Sequence, residues 1–277
     1  DTHFNLQWGL NNTGQGGGTP GADINILPAW VITTGNSSIK IGIIDLPIVA
    51  THTDFDGRVN YGGFGFQSDD HGMHVTGIAA ATGNNRKGIA GINWTSPVYC
   101  DVLDDLPTTI QAINRAIAEG CRIINCSWTE PNGSGNLYNT MLNGYYHGIL
   151  FAIAGMQSSS ASEKPKKFGP WILNVASLKN TGERSRFGYS RYYHDVAAPG
   201  GDNWGDIRDI YSTSFNDSYV YKAGTSMAAP HVTGVASLLL SVNPNLKNYD
   251  LEEILKRTAK NYPNFDGYTG YGCIDAY

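Results

Sequence analysis

The chain has 277 residues, of which 41% are hydrophobic and 16% charged, with 34 glycines and a net charge of -5 at neutral pH. That length and balance suit one compact domain rich in turns. The mild negative charge disfavours nucleic acid and anionic membrane surfaces as partners, and the apolar runs fall short of the ~18 residues that a membrane-spanning helix needs.

Residues 1–30 carry few periodic apolar positions, and Asn11 to Gly21 is rich in Gly, Asn and Thr, so this segment reads as an extended arm lying on the body. Ala22 to Val31 is expected as a short helix. Ile39 to Ile44 is a short, β-branched apolar run that predicts a buried parallel strand, and it delivers Asp45 to the strand's carboxyl end. Taken alone, Asp45 would be an ordinary turn cap. His71 to Ala81 reads as a helix, Val98 to Leu103 as a strand, and Thr108 to Glu119 as a helix with Ile110, Ala112, Ile113, Ala116 and Ile117 on its apolar stripe, ended by Gly120. Cys121 to Trp128 is a further buried strand, Leu137 to Tyr146 a helix, and Ile149 to Ala154 and Trp171 to Ala176 strands. Asp195 to Ala198 and Asp209 to Thr213 are short strands, and Ser226 to Val242 and Tyr249 to Thr258 close the chain as helices. Strands alternating with helices imply a parallel sheet covered on both faces, with ligands gathered at the carboxyl ends of the strands.

The four cysteines, Cys100, Cys121, Cys126 and Cys273, show neither Cys-x-x-Cys spacing nor an adjacent histidine pattern, which argues against zinc. The first three lie in or beside apolar segments and read as small core residues; no disulfide can be assigned. Lys164, Lys166 and Lys167 read as a solvated loop, and Tyr189, Tyr192 and Tyr193 as surface packing.

The stretch Gly224-Thr225-Ser226-Met227-Ala228-Ala229-Pro230-His231 carries the chemistry. It presents a serine at the start of an apolar helix, where free N–H groups and the positive dipole end face whatever the serine attacks. A serine hydroxyl needs a neighbouring base, and the base needs an orienter. His71 opens His71-Gly72-Met73-His74-Val75-Thr76-Gly77, and Asp45 precedes it in the chain. The Ser226 block, the His71 block and the closing Gly270-Tyr271-Gly272-Cys273-Ile274-Asp275-Ala276 together resemble the subtilisin-like serine proteases, the subtilases, with Gln7 to Gln15 similar to their N-terminal arm. Only Ala223 departs from the family's run around the nucleophile.

The resemblance implies a single α/β domain over residues 1–277, a three-layer fold with a mostly parallel seven-stranded sheet between helices. It implies Ser226 as nucleophile, His71 as general base and Asp45 as the orienting carboxylate, with His74 a structural histidine. Ser127, Trp128 and Thr129 would form one edge of the substrate pocket, and Ile153, Ala154 and Gly155 the opposite wall, with Ile153 adding apolar bulk. The family's oxyanion asparagine aligns with Met156, followed by Gln157, and a thioether cannot donate a hydrogen bond. Loss of one oxyanion donor in a subtilisin costs roughly 10²–10³ in turnover. Leu46-Pro47 replace a small polar residue and glycine, and Met73 replaces threonine. Asp1, Asp54 and Asn85 match the ligands of a structural calcium in related subtilases, although Arg86 and Lys87 bring positive charge to that loop; no cofactor is required for the chemistry. A polypeptide substrate or inhibitor as partner, a monomeric state, and a secreted, cell-surface or periplasmic location from a longer precursor follow from the same resemblance. The rival expectations are an impaired or inactive relative that binds peptides, a structural domain without substrate, and an esterase, since activated esters need less oxyanion help than amides.

Overall fold

The computed structural model describes residues 1–62, 69–128, 135–155, 172–187 and 194–277. The arm contains single turns of 3-10 helix at Phe4–Leu6 and Gln15–Gly17, and it is more than a surface strap. Trp8 is fully buried and donates its indole N–H to the Asp209 carbonyl at 2.9 Å. The first helix, α1 (Ile26–Ile32), starts four residues later than its composition suggests. Ile24 is held by the Gly9 carbonyl, and Asp23 accepts from the Asn25 N–H, which keeps 22–25 out of the helix.

Then follow β1 (Lys40–Asp45), β2 (Val59–Tyr61), α2 (His71–Ala80), β3 (Val98–Val102), α3 (Leu106–Ala118), β4 (Cys121–Cys126), α4 (Gly135–Tyr146) and β5 (Leu150–Ala154). The chain closes with β6 (Ile172–Leu178), β7 (Val196–Pro199), β8 (Ile210–Thr213), β9 (Tyr219–Lys222), α5 (Thr225–Val242) and α6 (Asn248–Arg257). Helix α3 begins at Leu106 because Asp105 caps it, accepting from the Thr108 N–H at 2.9 Å. Strands β2 and β9 are additions to the expected set. Trp171, Lys164, Lys166, Lys167, Tyr189, Tyr192 and Tyr193 lie outside the described residues.

The main sheet has seven strands in the order β2-β3-β1-β4-β5-β6-β7, every described pairing parallel, while β8 and β9 form a separate antiparallel hairpin. Alternating side chains feed two cores. Ile41, Ile43, Ile123, Ala152 and Ala154 face a core shared with α2 and α5; Ile44, Ile124, Phe151 and Ile153 face one shared with α3 and α4. This is the α/β three-layer arrangement that the alternation implies. Helix α5 is long and apolar enough to cross a membrane by length and composition, but 78% of it is buried inside the fold, so here it is the central core helix. The four cysteines are buried and free. Strand order places the ends of β1, β4 and β5 side by side, under the N-termini of α2 and α5.

Candidate active site

Asp45 is the last residue of β1 and is 1% exposed. Its Oδ1 accepts from the Leu46 N–H at 2.7 Å and lies 2.6 Å from His71 Nδ1, while its buried Oδ2 has no hydrogen-bond partner. His71 is the first residue of α2, its side chain a quarter exposed. Gly72 allows this approach: a Cβ there would sit 2.0 Å from the Leu46 carbonyl oxygen. Burial works against the imidazolium, but the charge and hydrogen bond of Asp45, with Asp69 adding, raise the His71 pKa above 6.5; Lys222 pulls the other way. With Nδ1 held by Asp45, Nε2 is the nitrogen left for a second partner.

The departures beside Asp45 are absorbed by the fold. Pro47 is buried, and fully buried Met73 brings its Sδ within 3.0 Å of the Val49 N–H. His74 is structural, as expected. Its Nε2 faces the Ile210 and Val220 carbonyls at 3.0 and 3.1 Å, tying α2 to both strands of the hairpin. Burial, helped by the Lys222 charge, pushes its pKa down to about 3 and keeps it neutral.

Ser226 is the second residue of α5 and half-buried. Gly224, at the N-cap, has φ 147°, a value that only glycine adopts without strain, and it sets the turn that lifts the serine. Thr225 Oγ1 donates to the Gly155 carbonyl at 2.9 Å, pinning this turn to the end of β5. Pro230 has no N–H, so the Ser226 carbonyl, four residues back, lacks its helical donor. Ser127 Oγ supplies one at 2.7 Å, and Ser226 Oγ donates to the Ser127 carbonyl at 2.9 Å. The Ser226 N–H lies in the first turn of α5, where backbone donors have no partner within the helix. Asp45, His71 and Ser226 thus stand on three elements whose ends converge.

A profile of the subtilase family matches residues 36–272. The chain belongs to the subtilase family of serine proteases. It is 32% identical, over 99% of its length, to a thermophilic serine proteinase of Bacillus sp. (strain AK1), spanning 70% of that protein. It is 33% identical over 90% of its length to thermitase of Thermoactinomyces vulgaris, spanning 90% of it. A halolysin-like extracellular serine protease, Nep, of Natrialba magadii is 32% identical over 91% of this chain, which covers 49% of that protein. Among solved structures, a protease of Pseudoalteromonas arctica PAMC 21717 superposes with a TM-score of 0.84 at 25% identity, covering all of this chain and 96% of that one.

Several of the residues expected along the substrate pocket are buried in this subtilase. Ile153 is 2% exposed and Trp128 8%, both packed in the α3/α4-side core, with the Trp128 indole donating to the Ile44 carbonyl at 2.8 Å. The Ile153 side chain packs into the α3/α4-side core, on the opposite face of the sheet from Ala154. Ser127, Ala154 and Gly155 are buried at or just past the carboxyl ends of β4 and β5. Thr129, Met156 and Gln157 lie outside the described residues.

Asp1, Asp54 and Asn85 do come together, but as a hydrogen-bonded clamp. Asp1 accepts from the Asn84 and Asn85 N–H groups at 2.8 and 2.9 Å. Fully buried Asp54 accepts from Asn85 Nδ2, the Ile89 N–H and the Tyr219 hydroxyl at 3.0, 2.9 and 2.8 Å. Asn85 Oδ1 is turned to the Lys87 N–H, and Lys87 Nζ reaches the Thr53 carbonyl and Asp56 Oδ1, each at 3.3 Å. A calcium ion here would have to reverse the Asn85 amide, which turns its Nδ2 to Asp54 and its oxygen to the Lys87 N–H, so these residues as arranged do not form a calcium cage. Among the described residues no group of three or more His, Cys, Asp or Glu side chains could hold a metal.

Proposed function

We propose that this subtilase is a serine endopeptidase working through an acyl-enzyme. Ser226 Oγ attacks the scissile carbonyl while His71 Nε2 takes its proton; Asp45 holds the ring by Nδ1 and stabilises the imidazolium. The proton passes to the leaving amine, and water, activated by the same nitrogen, releases the acid. The first-turn N–H of Ser226 serves as one oxyanion donor, and the second is weakened by methionine at position 156. Before attack the Ser226 hydroxyl must leave the Ser127 carbonyl and donate to Nε2. The observation that carries this reading is the 2.6 Å contact between His71 Nδ1 and a carboxylate buried to 1% exposure, since an orienting acid is what separates a working base from a stray histidine. The extracellular relative Nep supports a secreted or cell-surface location.

A second reading, a peptide-binding relative with little turnover, is favoured by Met156 and by the engagement of the Ser226 hydroxyl with a backbone carbonyl. The test is cleavage of a fluorogenic peptide library by the parent, Ser226→Ala and Met156→Asn. Ser226-dependent cleavage that rises about a hundredfold in Met156→Asn is the expected result. No cleavage by the parent or by Met156→Asn would leave the binding reading standing.

A further inference from the structure

Helix α2 begins with an arrangement that a helix start does not require. Asp70 occupies the N-cap, yet its side chain makes no capping bond. Instead its Oδ1 lies 2.6 Å from Lys222 Nζ, and its Oδ2 accepts a short bond from Ser214 Oγ. Asp69 accepts from the His71 N–H at 2.8 Å and lies 3.6 Å from the same ammonium. Lys222 ends β9, four residues before Ser226, and Asp70 directly precedes His71. Among the described residues these contacts of Lys222 are the ion pairs that join the segment bearing the base to the segment leading to the nucleophile.

We propose that the Asp70–Lys222 pair is a positioning clamp that fixes His71 relative to Ser226 and balances the charge around the imidazole. The role assigned to His71 rests on the protease reading. The Ser226 hydroxyl is held by Ser127, so the reach of His71 Nε2 to it depends on how α2 sits against the hairpin and the α5 turn. Asp70 gives up a helix cap to bond across to that hairpin. The pair is partly screened from water, with Lys222 27% and Asp70 18% exposed, so its charges act on their neighbours more strongly than a surface pair would. Among the described residues, the charged and titratable groups around the imidazole are Asp45 from β1, Asp69 from the loop before α2, Lys222 from β9, to which Asp70 is paired, and neutral His74 on α2 itself. Lys222 is the one cation in this set; it opposes the imidazolium, and the carboxylates favour it.

The clamp makes a prediction with two signs. Lys222→Met leaves two carboxylates without their counter-charge and raises the His71 titration midpoint. Asp70→Asn frees the ammonium and lowers it. Each variant loses the strap, so each lowers kcat about tenfold with little change in KM, and the double variant loses less than the two singles combined. Lys222→Arg keeps the charge and retains most of the activity. The His71 midpoint is read by NMR of the imidazole in the intact protein, which does not depend on turnover, and Lys222→Gln replaces Lys222→Met should the latter not fold. Opposite shifts in the two folded variants support the clamp. An unmoved midpoint, or shifts of the same sign, overturns it. A parent that cleaves no peptide while the midpoints shift in opposite directions would overturn the protease reading and retain the electrostatic balance.

Discussion

Gly72 and His71 are adjacent, and each is constrained by a different neighbour. A Cβ at Gly72 would meet the Leu46 carbonyl at 2.0 Å, backbone that cannot step aside without moving the end of β1 and Asp45 with it. Gly72→Ala should therefore destabilise the protein by about 1–3 kcal/mol in urea denaturation and depress peptide turnover by displacing the base. The His71 pKa, raised above 6.5, has two consequences of opposite sign. Only the neutral ring can accept the Ser226 proton, so kcat/KM should rise with pH through a midpoint above 6.5. The protonated ring is what Asp45 holds most strongly. Its contribution to stability is fully present below the unfolded pKa and is lost as pH rises through the folded one. The Tm difference between the parent and His71→Gln should be larger in mildly acid than in alkaline buffer.

At the scale of elements, α5 carries a proline where a helix interior normally excludes one. Pro230 frees the Ser226 carbonyl, and Ser127, just past the end of β4, satisfies it, so this residue pair helps to join α5 to the sheet. Removing the hydroxyl with Ser127→Ala leaves a part-buried carbonyl unpaired, at an expected cost of about 1–3 kcal/mol. Pro230→Ala restores an N–H that can close the helical bond, so the double variant should recover part of that loss. A denaturant double-mutant cycle measures the coupling, and strictly additive effects would count against this account of the proline.

Over the whole molecule, the N-terminal segment, the loop at 84–89 and the β8–β9 hairpin are joined through hydrogen bonds of Asp1, Asp54 and Tyr219. The Tm should accordingly be the same in a chelator and in millimolar calcium. Tyr219→Phe, which deletes the hydroxyl from a buried carboxylate, should cost about 1.5–3 kcal/mol. A substantial rise in Tm on adding calcium would show that the clamp opens to admit it. The same hairpin also receives His74 and the Asp70–Lys222 pair, so a hairpin of which only β8 was legible in the sequence ties together the start of α2 and the N-terminal clamp.

The sequence by itself determined the alternation of elements and the parallel sheet, because buried parallel strands are written as short apolar runs; Ser226, His71 and Asp45 were singled out by their resemblance to subtilase motifs, since an aspartate at a strand end is by local pattern only a turn cap. Local pattern could not find β2, only three residues long, or β9, whose residues are all half-buried and show no alternation. The late start of α1 was hidden because distant backbone at Gly9 holds Ile24 out of the helix. Only the tertiary structure decided that Ile153 faces the core, that Ser127 completes the hydrogen bonding of a proline-broken helix, that Asp54 is satisfied by a tyrosine from 165 positions away, and that Asp70 turns from capping to Lys222. In each case the partner is remote in the chain, and which remote groups meet is settled by how the layers pack.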